Sequence, residues 1–277
     1  MTKILFFCSP IGLGHATRDL AIINQMELES CKIFSGSSAI QFFQRNDIEA
    51  NDVYSPPKFE VQNGKLEKSL KWLWSYYKYY KNCKEISNDI IRKEEPELII
   101  SDEDFASIAV AQERGIRNIV ITDILETKFT TGFGAMVEKK MNKTMQEMLQ
   151  KANRVIIPES GMNQDNIIRT GPIVRKIQKK REEIRKDLDF KKKIVVLCAG
   201  GTEAGKFLIK KTINAIKKVE SDIDLVLVTG PEIKEEFGNE IRNLGFVENL
   251  HEIIFAADLV ISLAGKSTID ESVVYGT

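Results

Sequence analysis

A histidine framed by glycines is the first residue of the chain whose type and setting suit catalysis. The stretch Ser9-Pro-Ile-Gly12-Leu-Gly14-His15-Ala-Thr-Arg18 lies between an apolar run and a helical pattern. Glycines at such a turn let the backbone approach a ligand, and the helix that follows offers free N–H groups and the positive end of a dipole. Imidazole titrates near neutral pH, which suits proton abstraction. The rival reading is a dinucleotide loop with an incidental histidine, but Thr17 stands where that fingerprint has its third glycine. Asp102 follows the apolar run Leu98–Ser101. If the two runs are neighbouring strands, Asp102 can accept a hydrogen bond from His15 and fix its tautomer. Asp102 or Asp104 can equally cap a helix opening at Phe105, and both readings stay open. Asp102-Glu103-Asp104 also fits a D-x-D metal pattern, although no metal is expected.

Two later turns are rich in glycine. Cys198-Ala-Gly200-Gly201-Thr202-Glu-Ala-Gly205-Lys206 fits G-x-x-x-x-G-K, but Phe207 replaces the hydroxyl that would hold magnesium. Gly265-Lys-Ser267-Thr268 has Val260 where the first glycine of that motif belongs. Neither is a P-loop, yet both predict a strand–glycine–helix turn able to present N–H groups to a diphosphate. Thr268-x-x-Glu271 is also a capping-box pattern, in which Glu271 would turn back onto its own helix.

The elements that must position these residues alternate as in a parallel sheet wrapped by helices. Strands are predicted at 3–8, 31–35, 98–101, 118–122 and 154–157, and helices at 14–27, 39–46, 66–93, 105–114 and 133–151. Arg169-Thr-Gly-Pro-Ile-Val-Arg175 reads as a linker before a charged helix over 176–189. A second series has strands at 192–199, 224–228, 245–247 and 259–262 and a helix over 268–275. In the long helix, Trp72, Tyr76, Tyr79, Cys83, Ile86 and Ile90 form a core-facing stripe. Leu66, Leu70, Leu73, Tyr77 and Tyr80 form a second stripe flanked by Lys71, Lys78 and Lys81. That stripe suits a membrane interface across 65–84, or a wide buried face or an oligomer contact.

The 277 residues are ample for two domains, and 43% hydrophobic with 29% charged residues describe a globular chain. Forty basic residues balance forty acidic ones, which argues against nucleic acid as a partner. The four scattered cysteines read as reduced thiols of a cytoplasmic protein, and two histidines are too few for a histidine metal cluster. No stretch reaches the length of a membrane span.

The run Gly245-Phe-Val247-Glu, Ala257-Asp258-Leu-Val-Ile-Ser262, Gly265-Lys-Ser267-Thr268-Ile-Asp-Glu271 and Gly276 resembles the donor-binding half of GT-B glycosyltransferases. The resemblance points to the MurG-type group, which includes the peptidoglycan GlcNAc transferase and diacylglycerol glucosyltransferases. The Gly-x-Gly-His loop, the segment from Thr170 to Arg175 and the Gly200-Gly201-Thr202 turn agree in order. Gly14-His15-Ala-Thr-Arg18 is similar to an archaeal and bacterial branch of that group.

The resemblance implies an α/β protein of two facing Rossmann-like domains, an acceptor-binding one over 1–170 and a nucleotide-sugar-binding one over 171–277. The second domain is expected to be incomplete, because the family continues past the Gly276 position with a proline, a strand and a glutamine-bearing loop that contacts the donor sugar. The implied catalytic residues are His15 as base and Asp102 as its orienting partner. For the donor, the Val247 backbone would meet uracil and Glu271 the ribose. Thr202, Ser267 and Thr268 would contact the diphosphate beside the glycine turns of Gly14, Gly201 and Gly265, with Arg175 nearby. The implied reaction is an inverting, metal-independent transfer of a hexose or N-acetylhexosamine from a UDP-sugar to a lipid or lipid-linked saccharide, in a cleft between the domains. The UDP-sugar is then a substrate and no cofactor is needed. The implied place is the cytoplasm, peripheral on the inner face of the membrane. The alternatives are a sugar-nucleotide 2-epimerase and a non-catalytic UDP-sugar-binding partner subunit.

Overall fold

A computed structural model describes residues 2–26, 31–57, 61–62, 65–66, 69–128, 130, 132–200, 205–219, 222–230, 233, 235, 237–238 and 241–277. The chain divides into one compact unit of residues 1–60 and 67–173 and another of residues 61–66 and 174–277.

In chain order the first part runs β1 (Ile4–Cys8), α1 (Leu13–Ile23), β2 (Cys31–Gly36), α2 (Ser38–Arg45) and β3 (Ala50–Tyr54). A short antiparallel pair, β4 (Val61–Gln62) and β5 (Lys65–Leu66), precedes α3 (Ser69–Glu94). Then come β6 (Leu98–Asp102), α4 (Phe105–Glu113), β7 (Arg117–Ile121), α5 (Phe133–Lys151), β8 (Arg154–Ile157) and β9 (Ile167–Arg169). The first unit's sheet has the order β3-β2-β1-β6-β7-β8-β9, with every neighbouring pair parallel.

Covering both faces of a parallel sheet requires strands that are apolar throughout. Leu5, Phe6, Phe7 and Cys8 meet that condition and are fully buried. Phe7 stacks on Phe34, and Cys83 and Ile91 of α3 and Met145 and Leu149 of α5 pack into the same core. Burying each such large side chain is worth roughly 1.5–3 kcal/mol. Two strands of this sheet escape the sequence pattern, as does the short β4–β5 pair. The partly exposed β3 is polar at Asn51 and Asp52, and β9 is three residues long and ends inside the expected linker. The β2–β3 pairing also explains Gly36, since a Cβ there would meet the Tyr54 carbonyl oxygen at 1.8 Å.

Helix α3 corrects the two-stripe expectation. Leu73 is buried and Tyr80 packs against the core with Tyr79, Ile86 and Ile90, so the second stripe is divided rather than free. Trp74, which belongs to neither stripe, is 60% exposed, and Tyr77 is 43% exposed. The side chains of Leu66 and Leu70 lie outside the described ones.

The second unit contains α6 (Arg181–Asp187), β10 (Lys193–Cys198), α7 (Lys206–Ile216), β11 (Ile223–Val228), β12 (Arg242–Gly245), α8 (Leu250–Ala256), β13 (Leu259–Ser262) and α9 (Lys266–Tyr275). Its sheet has the order β12-β11-β10-β13 and is also parallel. Two expectations shift: the third strand ends at Gly245 rather than starting there, and the charged helix begins at Arg181 rather than Lys176. Asp258 ties this unit together. It accepts from the Ile194 main-chain N–H at 2.8 Å and from Arg181 and Arg185 at 3.0 and 3.1 Å. No helix among the described residues is long and apolar enough to cross a membrane.

Candidate active site

Ligands of open parallel sheets bind beyond the carboxyl ends of the strands, where the strand order reverses. In the first unit that point lies between β1 and β6, since the chain runs outward from β1 to β3 and then resumes on the other side with β6. Cys8 pairs with Asp102 in this register, so both strands end together. Gly12, with φ +83, turns the chain from β1 into α1 and brings Gly14 and His15 into the first helical turn.

The sequence-predicted pair meets there. His15 Nδ1 lies 3.0 Å from Asp102 Oδ1. Arg18 Nη2 also lies 3.2 Å from Nδ1, but the ionised carboxylate is the nearer partner and only accepts, so the proton is assigned to Nδ1 and Nε2 is left basic. The capping role open to Asp102 falls to Asp104, whose Oδ1 accepts from the Ala106 and Ser107 N–H groups at 3.0 and 3.3 Å. Residues not singled out from sequence complete the cluster. Arg18 donates through Nε to Asp102 Oδ2 at 2.7 Å, through Nη2 to Asp102 Oδ1, and through Nη1 to Asp123 at 3.0 Å. It follows His15 by three positions, a spacing that puts both on one helix face and could have revealed it. Glu103 Oε2 lies 3.5 Å from His15 Nε2.

The electrostatics follow from this packing. Burial would raise the Asp102 carboxyl, but His15 and Arg18 hold it well below the usual carboxylate range. Burial would lower His15, and Asp102, with help from Glu103, raises it instead. Asp19 is fully buried with neither oxygen hydrogen-bonded; burial and then the Asp102 charge push its carboxyl well above the ordinary value. One ligand atom each of His15, Asp102 and Glu103 falls within 4.8 Å of the others. A cation there would sit against the Arg18 guanidinium, which already takes both oxygens of Asp102. The cluster therefore suits proton handling better than metal binding.

The second unit reverses its strand order between β10 and β13. Cys198 pairs with Ser262, so the two glycine turns leave adjacent strand ends. Gly201 and Thr202 lie outside the described residues. Gly200 has φ +75, and a Cβ on it would contact Leu263 at 3.6 Å, which sets the turns side by side. A Cβ on Gly205 would meet the Ala199 carbonyl oxygen at 2.1 Å. Gly265 caps α9 without a side-chain bond, leaving the first-turn amides beside the half-buried Ser267 and Thr268. Lys266 pairs with Asp270 at 2.7 Å, within its own helix. Val247 turns its side chain to the core, so its main chain is what can face a ligand.

Arg175 and Glu271 depart from expectation. Glu271 does not close a capping box; it accepts from Arg175 Nε and Nη2, each at 2.9 Å, and both side chains are buried. Arg175 Nη1 also donates to the Glu248 carbonyl at 2.7 Å, and Tyr275 Oη donates to the Arg175 carbonyl at 2.6 Å. Burial raises the Glu271 carboxyl and Arg175 opposes the rise. A partner 96 residues away in sequence has no local signal, and so the pair was not legible there.

Residues 195–277 match the model of the glycosyltransferase family 28 C-terminal domain. An uncharacterised glycosyltransferase of Methanopyrus kandleri is 24% identical over 201 residues, 68% of this chain and 56% of that protein, so the match spans little more than half of that relative. The UDP-N-acetylglucosamine--N-acetylmuramyl-(pentapeptide) pyrophosphoryl-undecaprenol N-acetylglucosamine transferase of Clostridium botulinum is 24% identical over 268 residues, 93% of this chain and 71% of that protein. Among solved structures, the glycotransferase of kitacinnamycin superposes with a TM-score of 0.67 at 13% identity, covering 100% of this chain and 79% of the other. MurG of Acinetobacter baumannii does so with a TM-score of 0.54 at 14% identity, covering 96% and 74%. Two parallel-sheet units with glycine turns at their reversal points, together with these likenesses, give the chain the GT-B fold, and its C-terminal part is similar to the glycosyltransferase family 28 domain.

Proposed function

We propose that the protein transfers a hexose or N-acetylhexosamine from a UDP-sugar to a hydroxyl of a lipid or lipid-linked saccharide, with inversion and without a metal ion. The observation that carries this reading is the 3.0 Å contact between His15 Nδ1 and Asp102 at the reversal point of the first sheet. With Nδ1–H held by Asp102, Nε2 removes the acceptor proton as the acceptor oxygen attacks the anomeric carbon. The leaving UDP gains negative charge, which the open amides at the α7 and α9 N-termini and the dipoles behind them stabilise. Gly14 places a further amide in the first turn of α1. The Val247 main chain is assigned to uracil. Glu271 is assigned to the ribose through whichever lone pairs Arg175 leaves unused.

A lipid-linked acceptor is supported by the likeness to the Clostridium botulinum transferase, whose name gives a pyrophosphoryl-undecaprenol acceptor. Contact with a membrane surface, on the cytoplasmic face, is supported by α3. There Lys78 lies 5.5 Å over the exposed Trp74 ring and Lys81 lies 4.8 Å over Tyr77, the amphipathic mixture that interfaces favour.

The test is transfer by the full-length protein from UDP-N-acetylglucosamine to a lipid-linked saccharide, with and without a chelator. The rate is expected to survive chelation and to fall about 10²- to 10⁴-fold in His15→Ala. A variant that keeps its full rate removes His15 as base. Turnover of the sugar nucleotide without acceptor would point to a 2-epimerase instead, and UDP binding without turnover to a partner subunit.

A further inference from the structure

Glu103 has φ +52, a left-handed conformation uncommon for a residue other than glycine. That bend carries its side chain across the end of β7. There Oε1 accepts from Thr122 Oγ1 at 3.0 Å and from the Asp123 main-chain N–H at 3.1 Å. Oε2 is left 3.5 Å from His15 Nε2, on a side chain only 8% exposed. Strained backbone persists where its surroundings over-determine it, and it gathers at functional sites. Asp102 already serves Nδ1, so a second carboxylate on the same ring acts on the other nitrogen, where it favours the arrival of a proton. It stands at the nitrogen from which a captured proton must later leave.

We propose that Glu103 accepts from His15 Nε2 the proton that the imidazole removes from the acceptor hydroxyl. The inference rests on the reading of His15 as base. In the step, the acceptor O–H bond breaks and an N–H bond forms at Nε2 while the acceptor oxygen bonds to the anomeric carbon. The electron pair of the sugar–phosphate C–O bond leaves with UDP. The proton then passes from Nε2 to Oε2, which restores neutral imidazole and leaves Glu103 as the acid. Glu103 returns its proton to water once product departs.

The charged and titratable groups facing Glu103 are His15 and Arg18 from α1, Asp102 from its own strand, Asp123 after β7 and Tyr76 from α3. Burial pushes the Glu103 carboxyl up to about 7 against the pull of His15, with Asp102 and Asp123 adding to the rise and Arg18 opposing it. A carboxylate so placed can both take and release a proton near neutrality.

The chain has two histidines, and burial, reinforced by Arg175, holds His251 down at about 3. His15 is therefore the imidazole whose ring resonance moves in an NMR titration above pH 5. In Glu103→Gln the His15 midpoint is expected to fall, because an anionic neighbour is lost while Asp102 stays. The kcat is expected to drop about ten- to a hundredfold with KM for the sugar nucleotide unchanged. Glu103→Asp keeps the charge, is well tolerated in the left-handed region, and should give an intermediate kcat because its carboxylate is set back by one methylene. An unmoved His15 midpoint in Glu103→Gln overturns the proposal, whatever happens to the rate, since a purely structural effect would leave the titration alone. An unchanged kcat overturns it as well. If the Gln variant fails to fold, an unchanged kcat in Glu103→Asp is the overturning result. Full transfer by His15→Ala would overturn the reading of the base itself, a separate failure.

Discussion

At the β1–β6 reversal of the first unit, the turn carries side chains that remain poised: an imidazole with one basic nitrogen, a buried carboxylate fixed by Arg18, and a second carboxylate alongside. At the β10–β13 reversal of the second unit, the charged side chains satisfy each other, with Arg175 spent on Glu271 and Lys266 on Asp270. What that second site leaves open is main chain, the amides of an uncapped helix start behind Ala264, itself held at φ +59. The contrast suits a division of labour. Moving a proton requires side chains that titrate, whereas holding a diphosphate through a change of charge is served by fixed dipoles that need not reorganise.

The sharpest way to break the comparison is Asp102→Asn. The amide keeps the shape but no longer fixes the productive tautomer, and the Arg18 guanidinium loses one of its two anionic partners and keeps Asp123. Transfer is expected to fall by about 10²- to 10⁴-fold with little change in UDP affinity, read from steady-state rates beside calorimetric titration. A matching loss of UDP binding would show that the two regions are not separable in the way described.

Arg175→Ala tests the other side. It strands Glu271, 3% exposed, without its cation, and breaking a buried pair costs about 3–5 kcal/mol, measurable by denaturant unfolding. The double variant Arg175→Met with Glu271→Leu should regain most of that stability, because an apolar pair of similar volume escapes the desolvation penalty. If the double variant still binds UDP as the parent does, Glu271 is not a ribose contact and the pair is structural alone.

The smallest effect concerns Asp19. Burial raises its carboxyl in the folded state, so the folded protein holds that proton more tightly than the unfolded chain. Its contribution to stability is complete below the unfolded value of about 4 and is lost as pH rises toward the folded one. Asp19→Asn removes that loss, so Tm should rise by a few degrees at pH 8 and change little at pH 4. A lower Tm at pH 8 would mean that Asp19 is ionised in the fold and that the charge balance around Asp102 is different.

Much of this is legible in the sequence. The apolar runs of β1, β6 and β10 announced buried parallel strands, and glycines followed by helical patterns marked the turns where such sheets bind ligands. Those are local signals, set by how few residue types fit a strand covered on both faces or a turn with positive φ. The placement of His15 beside Asp102 could be written from sequence as a condition on strand adjacency, which the β1–β6 register meets. β3 was not legible, because a polar edge strand looks like a loop, and the second stripe of α3 stayed open between an interface and a buried face because periodicity cannot say how many neighbours cover a helix.

By itself the amino-acid sequence determined the repeated strand–turn–helix pattern, the chemistry available at each turn and the MurG-like resemblance, since all three are carried by residues close together in the chain. Only the tertiary structure decided which distant groups meet. It gave Asp102 to Arg18 as well as to His15, sent Asp104 to the helix cap, turned Glu271 onto Arg175 and swung Glu103 against the imidazole. The physical reason is that a buried charge must find its partner wherever packing places one, and that choice leaves no trace in local spacing.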